Sequence, residues 1–209
     1  MKEFIDILYK WQTLVGSILG GIFALFVALI VGHSVRRRED ISSGMLIIGD
    51  LVSLRVEYET LTALAIKQNI PEDHYPFWFA KRLSGSFPKL SPLFEASIVR
   101  MMPINIYLAA HLTLFHKIYV DVGVMVDRLS DDLKLHKQNK PPRSKEQLTA
   151  DANLIHKHFS LAVQHAGCAE HLITDLILSK MPTWNRIRQT FWLKSDEKDC
   201  IKYLKEGSS

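Results

Sequence analysis

Nine histidines are the side chains in this sequence best suited to acid–base or metal chemistry. Imidazole titrates near neutrality and ligates transition metals, so its clusters are the first places to look. His156 and His158 lie two apart, which on a helix turns them roughly 160° away from one another. Asp151, His158 and His165 share one helix face at spacing seven, and His111 and His116 fall on the helix expected to pack beside it. Along the axis His158 and His165 stand about 10 Å apart, too far to share an ion whose bonds are near 2 Å. The i, i+3 and i, i+4 ligand pairs from which ferritin-like bundles build metal sites are not found. The pattern reads as a solvated histidine face, with no metal, no cofactor and no catalytic residue. The competing reading is an enzyme with a divergent site at His158, His165 or His116.

Other chemistries find still less. Cys168 and Cys200 are the only cysteines, spaced neither as a zinc knuckle nor as a redox pair. The expectation is a fold not held by a disulfide. Small helical nucleases place a histidine four to six residues after an arginine to handle RNA phosphate, whereas the nearest case here, Arg128 to His136, has seven residues between. No phosphate loop, zinc-protease helix, serine-nucleophile elbow or calcium loop occurs. The net charge of +4 comes from 26 basic and 22 acidic residues that interleave, which gives no reason to expect nucleic acid. The chain reads as a non-enzyme.

The elements that would position these residues begin with a membrane anchor. From Trp11 to Gly32 the sequence WQTLVGSILGGIFALFVALIVG carries no charge, and roughly 22 helical residues span about 33 Å, enough for the hydrocarbon core of a bilayer. Trp11 suits the headgroup layer at one edge, and Arg36, Arg37 and Arg38 close the other. A cleaved signal peptide would have a shorter apolar region and a small-residue cleavage site. Lys2 and Lys10 precede the span and the three arginines follow it. That excess, with the short N-terminal tail and the expected lack of disulfides, predicts an outside N-terminus and a cytoplasmic domain. Within the span Gly16, Gly20, Ala24, Ala28 and Gly32 recur every four residues. Small residues at that spacing line one face and admit a second backbone, so the helix is expected to self-associate.

The soluble part predicts helices throughout. Ile47, Leu51, Leu54, Tyr58, Leu61 and Ala65 alternate steps of four and three between about Ser42 and Asn69, a seam for a partner helix. Gly32, Ser42, Ser43 and Gly44 leave open whether this helix continues the anchor. A short aromatic helix with Phe77, Trp78 and Phe79 follows Pro71, capping a core or, alternatively, lining a pocket. Ser91-Pro92 begins another. Two long helices come next, about Asn105–His136 and Lys145–Lys180, joined by the polar linker HKQNKPPRS. Their seams, Leu108 through Leu133 and Leu148 through Leu176, predict an antiparallel hairpin. After Pro182, Trp184, Ile187, Phe191 and Trp192 alternate with Arg186, Arg188 and Lys194, as in an interfacial helix or an ordinary last helix on the bundle.

The stretch YKWQTLVGSILGGIFALFVALI, together with KLSPLFEASIVRMMPINIYLAAHLTLFHKIY, resembles a group of bacterial membrane-anchored proteins of unknown function. The resemblance rests on Trp11–Leu14, Ser91–Ala96, Pro103 and Tyr119. It implies a bacterial inner membrane and supplies no activity. The sequence therefore predicts an all-α protein with two parts. Residues 1–40 form the tail, single transmembrane helix and basic stop region, and residues 41–209 form a cytoplasmic helical bundle with a C-terminal amphipathic segment. Its expected partners are the lipid bilayer, a second copy of itself and a cytoplasmic protein. Its expected role is that of a scaffold, sensor or partner-binding module. The alternative from another class is an oligomeric pore or membrane-disrupting effector of a host-defence system.

Overall fold

Each of the four-three apolar seams lies on a helix and is buried along nearly all of its length. The computed structural model describes residues 2–137, 143–179, 184–185, 187–188 and 195–206. Among the described residues all regular structure is helical: α1 (Lys2–Lys67), α2 (Tyr75–Leu83), α3 (Phe94–Met101), α4 (Ile106–Lys137), α5 (Lys145–Ile173) with a π-helical turn after it (Thr174–Leu178), and α6 (Ser195–Glu206). The protein is all-α, and among the described residues one helix is long and apolar enough to cross a membrane. By internal packing the chain forms two units, Met1–Ser42 and Ser43–Ser209.

The first unit is helical from Lys2 onward. Its described large apolar side chains from Tyr9 to Val35 are exposed, among them Leu19 at 61% and Phe23 at 71%. Gly32 and the Ser42–Gly44 stretch leave α1 unbroken. A glycine inside a helix costs only about 1 kcal/mol, which its helix-forming neighbours readily offset.

In the second unit, the α1 seam residues Ile47, Leu51 and Leu54 are fully buried and Leu61 and Ala65 nearly so. The helix ends through the left-handed Asn69 (φ 50°), with the Ile70 amide donating to the Ala65 carbonyl at 3.1 Å. Asparagine tolerates that conformation, and Pro71 after it cannot continue the helix. The Arg55 guanidinium reaches Glu170 on α5 at 2.8 Å, tying seam to hairpin.

The α4–α5 hairpin forms the centre of this unit. Leu108, Leu112, Phe115, Val122, Val126 and Leu129 from α4 are buried, as are Ile155, Phe159 and the alanines 152, 162, 166 and 169 of α5. Small against large is what lets two helices approach closely without voids. A capping box starts α5: the Gln147 amide donates to Ser144 Oγ at 3.3 Å, and the Ser144 amide donates back to Gln147 Oε1 at 3.1 Å. The α-helical part of α5 stops at Ile173, earlier than the expected Lys180, and the π-helical turn carries Leu176 and Ile177 inward. Ser91 lies before the helix it was expected to cap: its hydroxyl accepts from the Leu93 amide at 3.2 Å, and α3 begins at Phe94.

Gly44 of α1 lies against that turn. A Cβ there would sit 3.2 Å from Ile173 Cγ2 and 3.4 Å from Ile177 Cγ2, two side chains that are buried. Gly44→Leu should therefore overpack the contact by about 1–3 kcal/mol, lowering the melting temperature by roughly 2–12 °C. Differential scanning fluorimetry of the full chain in detergent tests this; an unchanged melting temperature would mean that the contact yields freely.

Candidate functional site

The residues with most chemical potential meet where α4, α5 and α6 converge. His111 stands one residue before the seam leucine Leu112 of α4, and His165 one residue before the seam alanine Ala166 of α5. That placement puts both rings at the edge of the hairpin interface, where they are fully buried (0% and 1% exposed). Their Nδ1 atoms face each other at 3.0 Å. Cys168 follows His165 by three residues, almost one helical turn, and shares its side of α5. Cys200 arrives on α6. The two cysteines, with Cα atoms 5.6 Å apart, form a disulfide, and the ligand atoms of His111, Cys168 and Cys200 all lie within 4.8 Å of one another.

Two expectations are thereby corrected. His111 and His165 do not belong to a solvated face, because helix pairing turns the flank of each seam inward as well as the seam itself. The bundle also carries a disulfide. A separation of 32 residues said nothing about proximity, since the fold returns α6 to the hairpin. One argument for a cytoplasmic domain, the lack of disulfides, falls with it.

Burial governs the electrostatics of the pair. Desolvation, and after it the neighbouring His165, hold His111 down to about 4; the Cys200 backbone acts weakly in the other direction. Burial alone lowers His165. Both rings are therefore neutral at pH 7, and one Nδ1 donates to the other. The Cys200 backbone lies near His111, yet among the described residues neither ring's Nε2 has a partner at hydrogen-bond geometry.

Charged side chains hold α6 in place. Arg188 donates to Glu197 at 2.6 Å and to Asp175 at 2.8 Å, with Glu197 only 2% exposed. The Asn185 amide donates to the Asp175 carbonyl at 2.7 Å and to Ser179 Oγ at 3.1 Å. Arg188, expected among the cations of an amphipathic surface, is instead drawn inward by two carboxylates. Trp184 and Ile187 are exposed, while Arg186, Phe191, Trp192 and Lys194 lie outside the described residues.

The remaining histidines have separate surroundings. His156 packs edge-on against Tyr75 and Phe79, each centroid 5.0 Å away, and burial lowers its pKa. His116 meets Glu95 at 3.3 Å, and His158 is half-buried. Asp151 pairs with Arg143, which also reaches Asp132 at 3.5 Å. The structure thus brings together His111 and His165 and separates them from His116, His158 and Asp151. Of the aromatic trio, Phe79 enters the core, and Phe77 lines an open pocket with Lys81, Leu133 and Leu148.

In the N-terminal unit, no described residue beyond the adjoining helical backbone places an atom within 4 Å of where a Cβ on Gly16, Gly20 or Gly32 would stand. Ala24 and Ala28 are exposed with them, along with Trp11, Arg36, Arg37 and Arg38.

Sequence reasoning missed the His–Cys cluster because it compared histidines along one helix. The available signal was the i, i+3 pair His165 and Cys168 beside a buried seam. Its other two members are contributed by α4 and α6, at separations no local pattern registers. No family model, no curated protein and no solved structure matches this chain.

Proposed function

We propose that the chain is a single-pass protein of a bacterial inner membrane, anchored and self-associated through its N-terminal helix, whose helical domain binds a protein partner on the cytoplasmic side. One observation carries the reading: the most apolar 18-residue window of α1 has a mean hydropathy of 2.7, and none of it is buried. Such a surface in water is strongly unfavourable, and a bilayer removes the cost. Trp11 and the three arginines at its margins suit the two interfaces. Arg36–Arg38 against Lys2 and Lys10 support the cytoplasmic side for the domain. The open face at Gly16, Gly20 and Gly32 supports close packing with a second copy, since no described residue occupies it. A role in binding rather than catalysis is supported by the separation of Asp151, His116 and His158 from the buried pair.

The mass of the full-length protein in nanodiscs tests the assembly. Wild type should be a defined oligomer, and Gly20→Ile a monomer, because a branched side chain on that face keeps the backbones apart. A wild-type monomer would refute self-association. Alkaline carbonate should leave the protein in the membrane fraction. Protease should cleave the domain in inverted vesicles and spare it in spheroplasts; the reverse pattern would place the domain outside.

A further inference from the structure

We propose that His111, His165, Cys168 and Cys200 form a tetrahedral Cys2His2 site for one zinc ion when the two cysteines are reduced. The four side chains come from three helices and are buried, with His111 and His165 at 0% and 1% exposed and the two cysteines at 6% and 7%; His111 stands between them, with His165 on one side and the two sulfurs on the other. Their types match the borderline-soft character of zinc, and four protein ligands leave no open position, as in structural sites. Two Nδ1 atoms 3.0 Å apart need something positive between them, either a proton on one ring or a metal ion shared by both. Tetrahedral zinc with bonds of about 2.0–2.1 Å to nitrogen places two such atoms about 3.3 Å apart, close to what the rings already have. The sulfurs approach His111, since the ligand atoms of His111, Cys168 and Cys200 fall within 4.8 Å of one another, and His165 joins through the Nδ1 that faces His111.

The disulfide and the zinc site are two states of the same residues. A dithiol or phosphine reductant supplies two electrons: the Cys168–Cys200 bond breaks, the sulfurs take up two protons, and the reductant is oxidised. Zinc then displaces those two protons, and two thiolates with two neutral imidazoles leave the bound ion with no net charge. That neutrality is what permits it in a buried pocket. The disulfide uses only two of the four ligands.

The experiment takes the full-length protein in detergent, treats it with a phosphine reductant that does not compete for metal, and titrates it with cobalt as a spectroscopic stand-in for zinc. Expected are one cobalt per chain, the visible bands of a tetrahedral ion, thiolate-to-cobalt charge transfer, and displacement by one equivalent of zinc. The unreduced protein should give no such spectrum. His165→Ala and Cys200→Ser, checked for helicity by circular dichroism, should lose the tetrahedral signature. Wild type that remains spectrally silent after reduction overturns the proposal without recourse to any variant, as does an unaltered tetrahedral spectrum in His165→Ala.

Discussion

Phe159→Ala is expected to destabilise the bundle by about 3–5 kcal/mol. Phe159 is 1% exposed and packs against three aromatic rings, with centroids 5.6 Å away at Phe79, 6.1 Å at Tyr58 and 6.4 Å at Phe87. Those rings come from α1, α2 and the segment after α2, so truncation opens a void where three parts of the chain lean on α5. Large rings anchored on separate segments cannot all move in to fill it. Thermal unfolding of the full chain should show the midpoint falling by roughly 6–20 °C. A fall of a degree or two would mean that the aromatic cluster re-forms around the gap.

Loss of Arg188 should have an effect of the same order, through charge rather than volume. Its guanidinium balances Glu197, 2% exposed, and Asp175, 19% exposed. Arg188→Met takes from the buried Glu197 carboxylate the guanidinium that bonds it at 2.6 Å, and breaking a buried ion pair typically costs about 3–5 kcal/mol. Most of that penalty belongs to the carboxylate kept in the interior. Glu197→Gln introduced with Arg188→Met should therefore recover part of the loss, and the double variant should fall short of the sum of the two singles. Urea denaturation of the four proteins measures this. Strict additivity would show that the two side chains act independently. Because Glu197 and Cys200 share α6, loosening this contact should also make the Cys168–Cys200 bond easier to reduce, which thiol alkylation after mild reductant would register.

The bundle was readable because its physics is periodic. Residues such as Leu51, Leu112 and Ile155 are buried for the reason that their spacing announces: one face of a helix must leave water. Tyr58, Tyr119 and Leu133 sit on the same seams but are only partly buried, since periodicity gives the direction of a side chain and not how far its partner extends. The helix continuity through Gly44 was not readable, because a glycine's local preference is weak beside tertiary packing. Least accessible was the His–Cys cluster. His111 and Cys200 become neighbours only after α4, α5 and α6 have closed, and no pairwise spacing encodes three-body closure. The same closure gave Arg188 a buried role that its position in an amphipathic pattern had concealed.

The ion pair between Arg55 and Glu170 joins residues 115 apart in sequence. At a synthesis rate of roughly 5–20 residues per second, the α1 seam emerges on the order of 10 s before the α5 surface that covers it. Throughout that interval Ile47, Leu51 and Leu54 form an apolar stripe on a nascent chain without its partner. Such surface is where chains aggregate or recruit holding chaperones. The hairpin, whose contacts are nearer in sequence, can close sooner once its two helices exist. The earliest-made part of the bundle is therefore obliged to be among the last to dock, and biosynthesis of this fold carries a waiting period built into its topology.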